Sequence, residues 1–112
     1  MRKEVDAVTK LYDLILWLVP KLEKFPRSQK FLIGDRVESL MLDILEKLIE
    51  ASYSHQKAHL LHEANLKLEV LRYLIRLSKD LRLINMKAYE LVSGKINDVG
   101  ISVGGWLKYT RR

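Results

Sequence analysis

The stretch Leu66–Leu83 constrains the chain most. It runs eighteen residues without a glycine or a proline, and most of them are strong helix formers. Set at about 100° per residue, Leu66, Leu77, Val70, Leu81, Leu74, Leu71, Ile75 and Leu68 cover an arc of about 200°. A helix lying on one core needs an apolar stripe of about 100°. The excess makes room for a second apolar contact, with a core on one half and a partner subunit on the other. On the opposite side Arg72, Arg76 and Lys79 follow at i, i+4 and i+7, within about 60° of each other. One element thus carries a core face, a candidate assembly face and a basic stripe.

The rest of the chain reads as helical too. Only two prolines and five glycines punctuate 112 residues, so a few long elements and short turns are expected. The first helix spans about 3–24. Val5, Val8, Tyr12, Ile15, Val19 and Leu22 give it an a/d series, and Leu11, Leu14 and Leu18 add a second stripe. Leu14–Val19 is apolar at every angle, and a monomeric bundle would leave Leu16 and Trp17 in water, which points to self-association. Pro20 should kink or loosen the last turns.

Pro26 breaks the chain, with Ser28 as a cap, and a second helix spans about 28–52 with an irregular first turn at Gly34-Asp35. The third helix spans about 56–83. Asn85 then caps a fourth, about 86–107, whose Tyr89, Val92, Ile96, Val99 and Val103 form an a/d series. Gly100, Gly104 and Gly105 permit close backbone approach there, and Thr110-Arg111-Arg112 reads as a mobile basic tail. No stretch has strand period. The expected fold is all-α: a single domain over 1–112 forming an antiparallel up-down-up-down four-helix bundle.

Charge is distributed unevenly. Net charge is +6, yet residues 1–64 hold ten basic and ten acidic side chains, while residues 65–112 hold ten and four. The whole excess lies in the second half, which suits nucleic acid, an anionic membrane or an acidic protein. The longest uncharged apolar run, Leu14–Val19, is too short to span a bilayer. The absence of cysteine rules out a disulfide scaffold, a thiol nucleophile and a thiolate metal site, and it suits a reducing compartment such as the cytoplasm.

Catalytic signatures are lacking. His55, His59 and His62 are spaced i, i+4, i+7, but the order is His-Leu-Leu-His-Glu and Glu63 points about 100° away, so a surface cluster fits better than a zinc site. There is no Glu-x-x-His pair for a di-metal bundle, no glycine-rich phosphate loop and no triad-like pattern. No enzyme activity, cofactor or metal is expected. The basic stripe is the remaining candidate, because the guanidinium fork suits phosphate. Lys87 and Lys95 extend it, Lys108, Arg111 and Arg112 close the chain, and Glu69 with Arg72 and Asp80 with Arg76 would partly neutralise it.

Several segments carry a resemblance. They are Glu23-Lys24-Phe25-Pro26-Arg27-Ser28-Gln29-Lys30-Phe31 with Gly34-Asp35-Arg36, Leu42-Asp43-Ile44-Leu45-Glu46, Leu71-Arg72-Tyr73-Leu74-Ile75-Arg76-Leu77, and Val103-Gly104-Gly105-Trp106-Leu107-Lys108. Over nearly its whole length the chain resembles the accessory variability determinant (Avd) family of diversity-generating retroelements, within the four-helix proteins of ribosomal-RNA intervening sequences. The resemblance implies a barrel-like homopentamer with a basic surface. It implies nucleic-acid binding with little sequence preference, and association with the retroelement reverse transcriptase that copies template RNA into mutated cDNA. The family's basic residues carry over onto Arg72 and Arg76; Lys79, Lys87 and Lys95 extend them by helical geometry and charge. The apolar arcs around Leu16 and Trp17 on the first helix, and Leu74 and Leu81 on the third, would close the ring. The competing readings are a structural oligomer of the intervening-sequence group without nucleic-acid binding, and a metal-binding bundle through the histidines.

Overall fold

Residues 3–110 are described by the computed structural model, with side chains described from Asp6 onward. Every regular element among them is helical. Helix α1 spans Lys3–Leu22, α2 Asp35–Tyr53, α3 Lys57–Asp80 and α4 Met86–Thr110. Each helix packs on its neighbours in sequence, and α1 closes against α4. The result is a four-helix bundle, up-down-up-down, 46 Å long and 23 by 20 Å across. None of these helices is long and apolar enough to cross a membrane.

Two stripes competed for the core on α1, and Ala7, Leu11, Leu14, Leu18 and Leu22 are the buried ones. Val8, Ile15 and Val19 of the a/d series pack only partly against the core, and Tyr12 is exposed. Both stripes are apolar at helical spacing, so periodicity alone did not choose between them. On α4 the a/d series is the core face: Val92, Ile96, Val99 and Val103 are buried and Tyr89 is half-buried. On α3 the apolar arc divides. Leu68, Leu71 and Ile75 are buried and Leu74 half-buried, while Leu66, Val70, Leu77 and Leu81 are exposed together with Tyr73.

The connections differ from the sequence expectations in ways that local chemistry explains. Helix α1 runs through exposed Pro20 and ends two residues later at Leu22, not at residue 24. Phe25 is buried at that end, and its N–H donates to the carbonyl of Leu22. Pro26 adopts an extended conformation and its carbonyl accepts from the N–H of Lys30, so Ser28 lies inside a short helical turn, Arg27–Gln29, rather than capping it. The next turn, Lys30–Gly34, is π-helical and feeds directly into α2. The irregularity expected at Gly34-Asp35 is this widened turn.

Helix α3 stops at Asp80 rather than Leu83. Leu83 N–H reaches the carbonyl of Ser78 at 2.8 Å and Arg82 N–H that of Lys79 at 2.9 Å, a paired closure that puts Arg82 in the left-handed region at φ 63°. Asn85 caps α4 as its side chain suggests, its Oδ1 accepting from Ala88 N–H at 2.8 Å. Helix α4 continues past residue 107 to Thr110, because Trp106 and Leu107 are buried and anchor its end. Thr110 is therefore helical rather than part of a tail; Arg111 and Arg112 lie outside the described residues.

Among the described residues, Ser78 and Ser102 are the buried polar ones, and both find partners. Ser78 Oγ donates to the carbonyl of Leu74 at 2.8 Å. Ser102 Oγ donates to the carboxylate of Asp6, which ties α4 to the start of α1. Asp6 also lies 3.4 Å from Lys10.

Candidate nucleic-acid interface

Helical spacing aligns Arg72, Arg76 and Lys79 along the side of α3 that turns toward α4. Arg72 is two-thirds covered. Its Nη1 donates to Glu69, and its Nη2 extends across to α4, ending 2.7 Å from the point where a Cβ on Gly100 would stand. With Tyr89, Ser93, Gly94 and Asn97 it lines an open groove of about 360 Å³ between α3 and α4. Arg76 is the most exposed of the three, with its Nε 3.9 Å from Asp80. Lys79 lies 3.4 Å from the same carboxylate, and its ammonium stands 4.6 Å over the Tyr89 ring. The pairs anticipated with Glu69 and Asp80 are formed.

Lys87 and Lys95 do not join that row. Lys87 is exposed on the first turn of α4. Lys95 lies on the side of α4 that meets α1, its ammonium 5.1 Å from the centroid of the Trp17 ring, which Lys21 also covers at 4.0 Å. Trp17 is consequently half-buried rather than left in water, while Leu16 beside it is 60% exposed. Of the other residues named for assembly, Leu81 is exposed and Leu74 packs partly against the core.

Sequence reasoning missed Arg82. With the third helix read to about residue 83, Arg82 falls in its last turn and drew no role. In the turn it is exposed, and it borders a second groove with Lys79, Asp80, Leu83, Ile84, Asn85 and Met86. The signal was available: Asn85 as a cap requires α3 to end a few residues earlier, which puts Arg82 in the connection.

At Gly100 a neighbour stands near, and it is a side chain, not backbone, whereas nothing lies within 4 Å of a Cβ at Gly104 or at Gly94.

The histidines lie at the opposite end of the bundle and are all exposed. Glu63 is not apart from them, since its carboxylate meets His59 Nε2 at 2.7 Å, one turn earlier, and Lys47 of α2 at 2.9 Å. Hydrogen bonding to Lys47 holds the Glu63 carboxyl below its ordinary value and Lys47 above its own. At the α1–α2 corner, the hydrogen bond from Lys30 does the same to Glu23. Glu38 is pushed up, first by burial and then by Glu23.

No curated protein matches the chain. A family model does, over residues 7–110, and that span covers all but the ends. The bundle, the Phe25-Pro26-Arg27-Ser28 corner and the arginine-bearing face of α3 all fall within it, and the chain belongs to the bAvd-like family.

Proposed function

We propose that this protein is a non-enzymatic accessory factor of a diversity-generating retroelement, which assembles as a ring-like homo-oligomer and holds RNA or RNA/DNA together with the reverse transcriptase. The observation that carries the reading is the row Arg72, Arg76 and Lys79 at helical spacing on α3, of which Arg72 lines the α3/α4 groove and Lys79, with Arg82, the groove at the turn. A row of this kind meets phosphates without reading bases, so binding is expected to be salt-dependent and tolerant of sequence. Membership of the bAvd-like family supplies the retroelement context. Repetition around a ring multiplies the row, and linked weak contacts gain affinity together.

Assembly draws support from two separate exposed apolar faces. One is the α3 stripe of Leu66, Val70, Tyr73, Leu77 and Leu81; the other carries Tyr12 and Leu16 on α1 with Leu42, Ile49 and Tyr53 on α2. Two unlike faces suit head-to-tail contacts, which close into rings. Trp17 and Leu74 contribute only their uncovered edges. A structural oligomer without nucleic-acid binding is the second reading. It is favoured by the pairing of Arg72 with Glu69, and of Arg76 and Lys79 with Asp80, in the free chain.

An RNA titration across a salt series tests the proposal. Wild type is expected to bind at low salt, with log affinity falling against log salt by about 0.7 per phosphate contacted. Arg72→Glu/Arg76→Glu should keep its oligomeric state, lose about tenfold or more in affinity, and give a shallower slope. An intact wild-type oligomer that fails to bind RNA at low salt would select the structural reading.

A further inference from the structure

Gly100 stands near the middle of a 25-residue helix, where glycine is less favourable than alanine. Its backbone dihedral is helical, so no turn requires it. Its missing side chain has one visible consequence. The Arg72 guanidinium occupies the space: Nη2 would lie 2.7 Å and Cζ 3.9 Å from a Cβ there. At Gly104, one turn later, nothing lies within 4 Å.

We propose that Gly100 is a positioning residue for Arg72. Its bare backbone forms a notch in α4 that seats the guanidinium, while Glu69 holds the other nitrogen from α3. A free arginine side chain samples many rotamers, and fixing one on binding costs entropy. The seat fixes it beforehand, at the edge of the groove that Ser93 and Asn97 line, so a phosphodiester arriving there meets a placed fork rather than a mobile one. The inference rests on the nucleic-acid reading above and adds the residue that orients its main cation. An alanine Cβ would need the guanidinium to move. The displaced atoms are the far end of a flexible side chain, so the fold should tolerate the change.

The test is anisotropy of a labelled, unstructured polyuridylate oligonucleotide with the full chain, over a salt series. It compares wild type, Gly100→Ala, Arg72→Ala, the double variant, and Gly104→Ala as a control. Gly100→Ala is expected to keep its oligomeric state and an equal or higher Tm. Its affinity should fall about three- to tenfold, and its salt slope should become shallower by about one phosphate contact. In the Arg72→Ala background the same change should have no further effect, which is the signature of action through Arg72. Gly104→Ala should bind as wild type. If Gly100→Ala binds normally while Arg72→Ala is weakened, the positioning role is wrong and the nucleic-acid reading stands. An equal loss in both backgrounds also overturns it, because the effect then bypasses Arg72. If wild type itself does not bind, the reading beneath it fails as well.

Discussion

Arg82 occupies a backbone conformation that favours glycine. At φ 63° its Cβ crowds the following carbonyl, a cost of roughly 1 kcal/mol or more that glycine avoids. The two hydrogen bonds that close α3 hold it there, from Arg82 N–H to Lys79 and from Leu83 N–H to Ser78. What the chain gains is an exposed cation next to Lys79. Arg82→Gly is therefore expected to raise stability by about 0.5 kcal/mol, after the larger freedom of glycine in the unfolded chain is deducted. For a domain of this size that is a Tm increase of roughly 2–4 °C. A scanning-calorimetry trace in which Tm falls would mean that Arg82 makes a stabilising contact that outweighs its strain. In the RNA titration the same variant should bind more weakly, so stability and binding move in opposite directions at one residue.

At the scale of elements, two charge pairs among the described residues join one element to the next, partly covered, and they are expected to make the bundle acid-sensitive. Lys30 meets Glu23 at 2.6 Å across the α1–α2 corner, and Lys47 meets Glu63 at 2.9 Å between α2 and α3. Both carboxyls are held below their ordinary value near 4.5, so the unfolded chain binds more protons than the fold as pH drops. Their stabilisation is complete above that value and is lost as pH falls through the lowered one. Glu38 has the opposite sign: its raised pKa favours the fold at low pH, and that contribution fades as pH rises through it. Wild type should thus lose Tm between about pH 5 and pH 3, and Glu63→Gln should descend less steeply over that window. Parallel acid limbs in the two proteins would show that the Lys47–Glu63 pair contributes nothing. Periodicity made the four elements legible, because long apolar series without breakers leave few alternatives. It did not choose the core stripe of α1, where two apolar stripes compete and packing against both α2 and α4 decides. It also missed the end of α3, which depends on one left-handed residue with no glycine to announce it. Arg72, Arg76 and Lys79 were legible as a row because they share one helix. Lys95 lies apart from the row, beside Trp17 of α1, because the a/d series of α4 fixes its core face but not which neighbouring helix flanks each side of it.

At the scale of the whole molecule, two groups of exposed apolar side chains do not resemble each other. The α3 face is a single stripe of five residues, while the other combines Tyr12 and Leu16 with residues of α2. A surface that pairs with its own copy needs only one such face. Two unlike faces predict a contact in which the α3 stripe of one copy meets the α1/α2 face of the next. That distinction has a consequence in mixtures. Leu77→Glu places a charge in the first face and Leu16→Glu in the second, both at positions exposed in the single chain, so each variant should fold with its helix content unchanged. In the proposed ring every junction needs both faces, so each variant should also prevent assembly. Mixed in equal amounts, the two variants retain one compatible junction: the intact α3 stripe of the Leu16→Glu chain against the intact α1/α2 face of the Leu77→Glu chain. The expected product, read by light scattering after size exclusion, is a heterodimer that grows no further. If Leu16→Glu alone leaves the oligomer whole while Leu77→Glu dissolves it, the α3 stripe pairs with itself and the assembly is two-fold rather than ring-like. The RNA affinity of the mixture should lie between that of the ring and that of the monomers, since two copies of the Arg72 row remain linked.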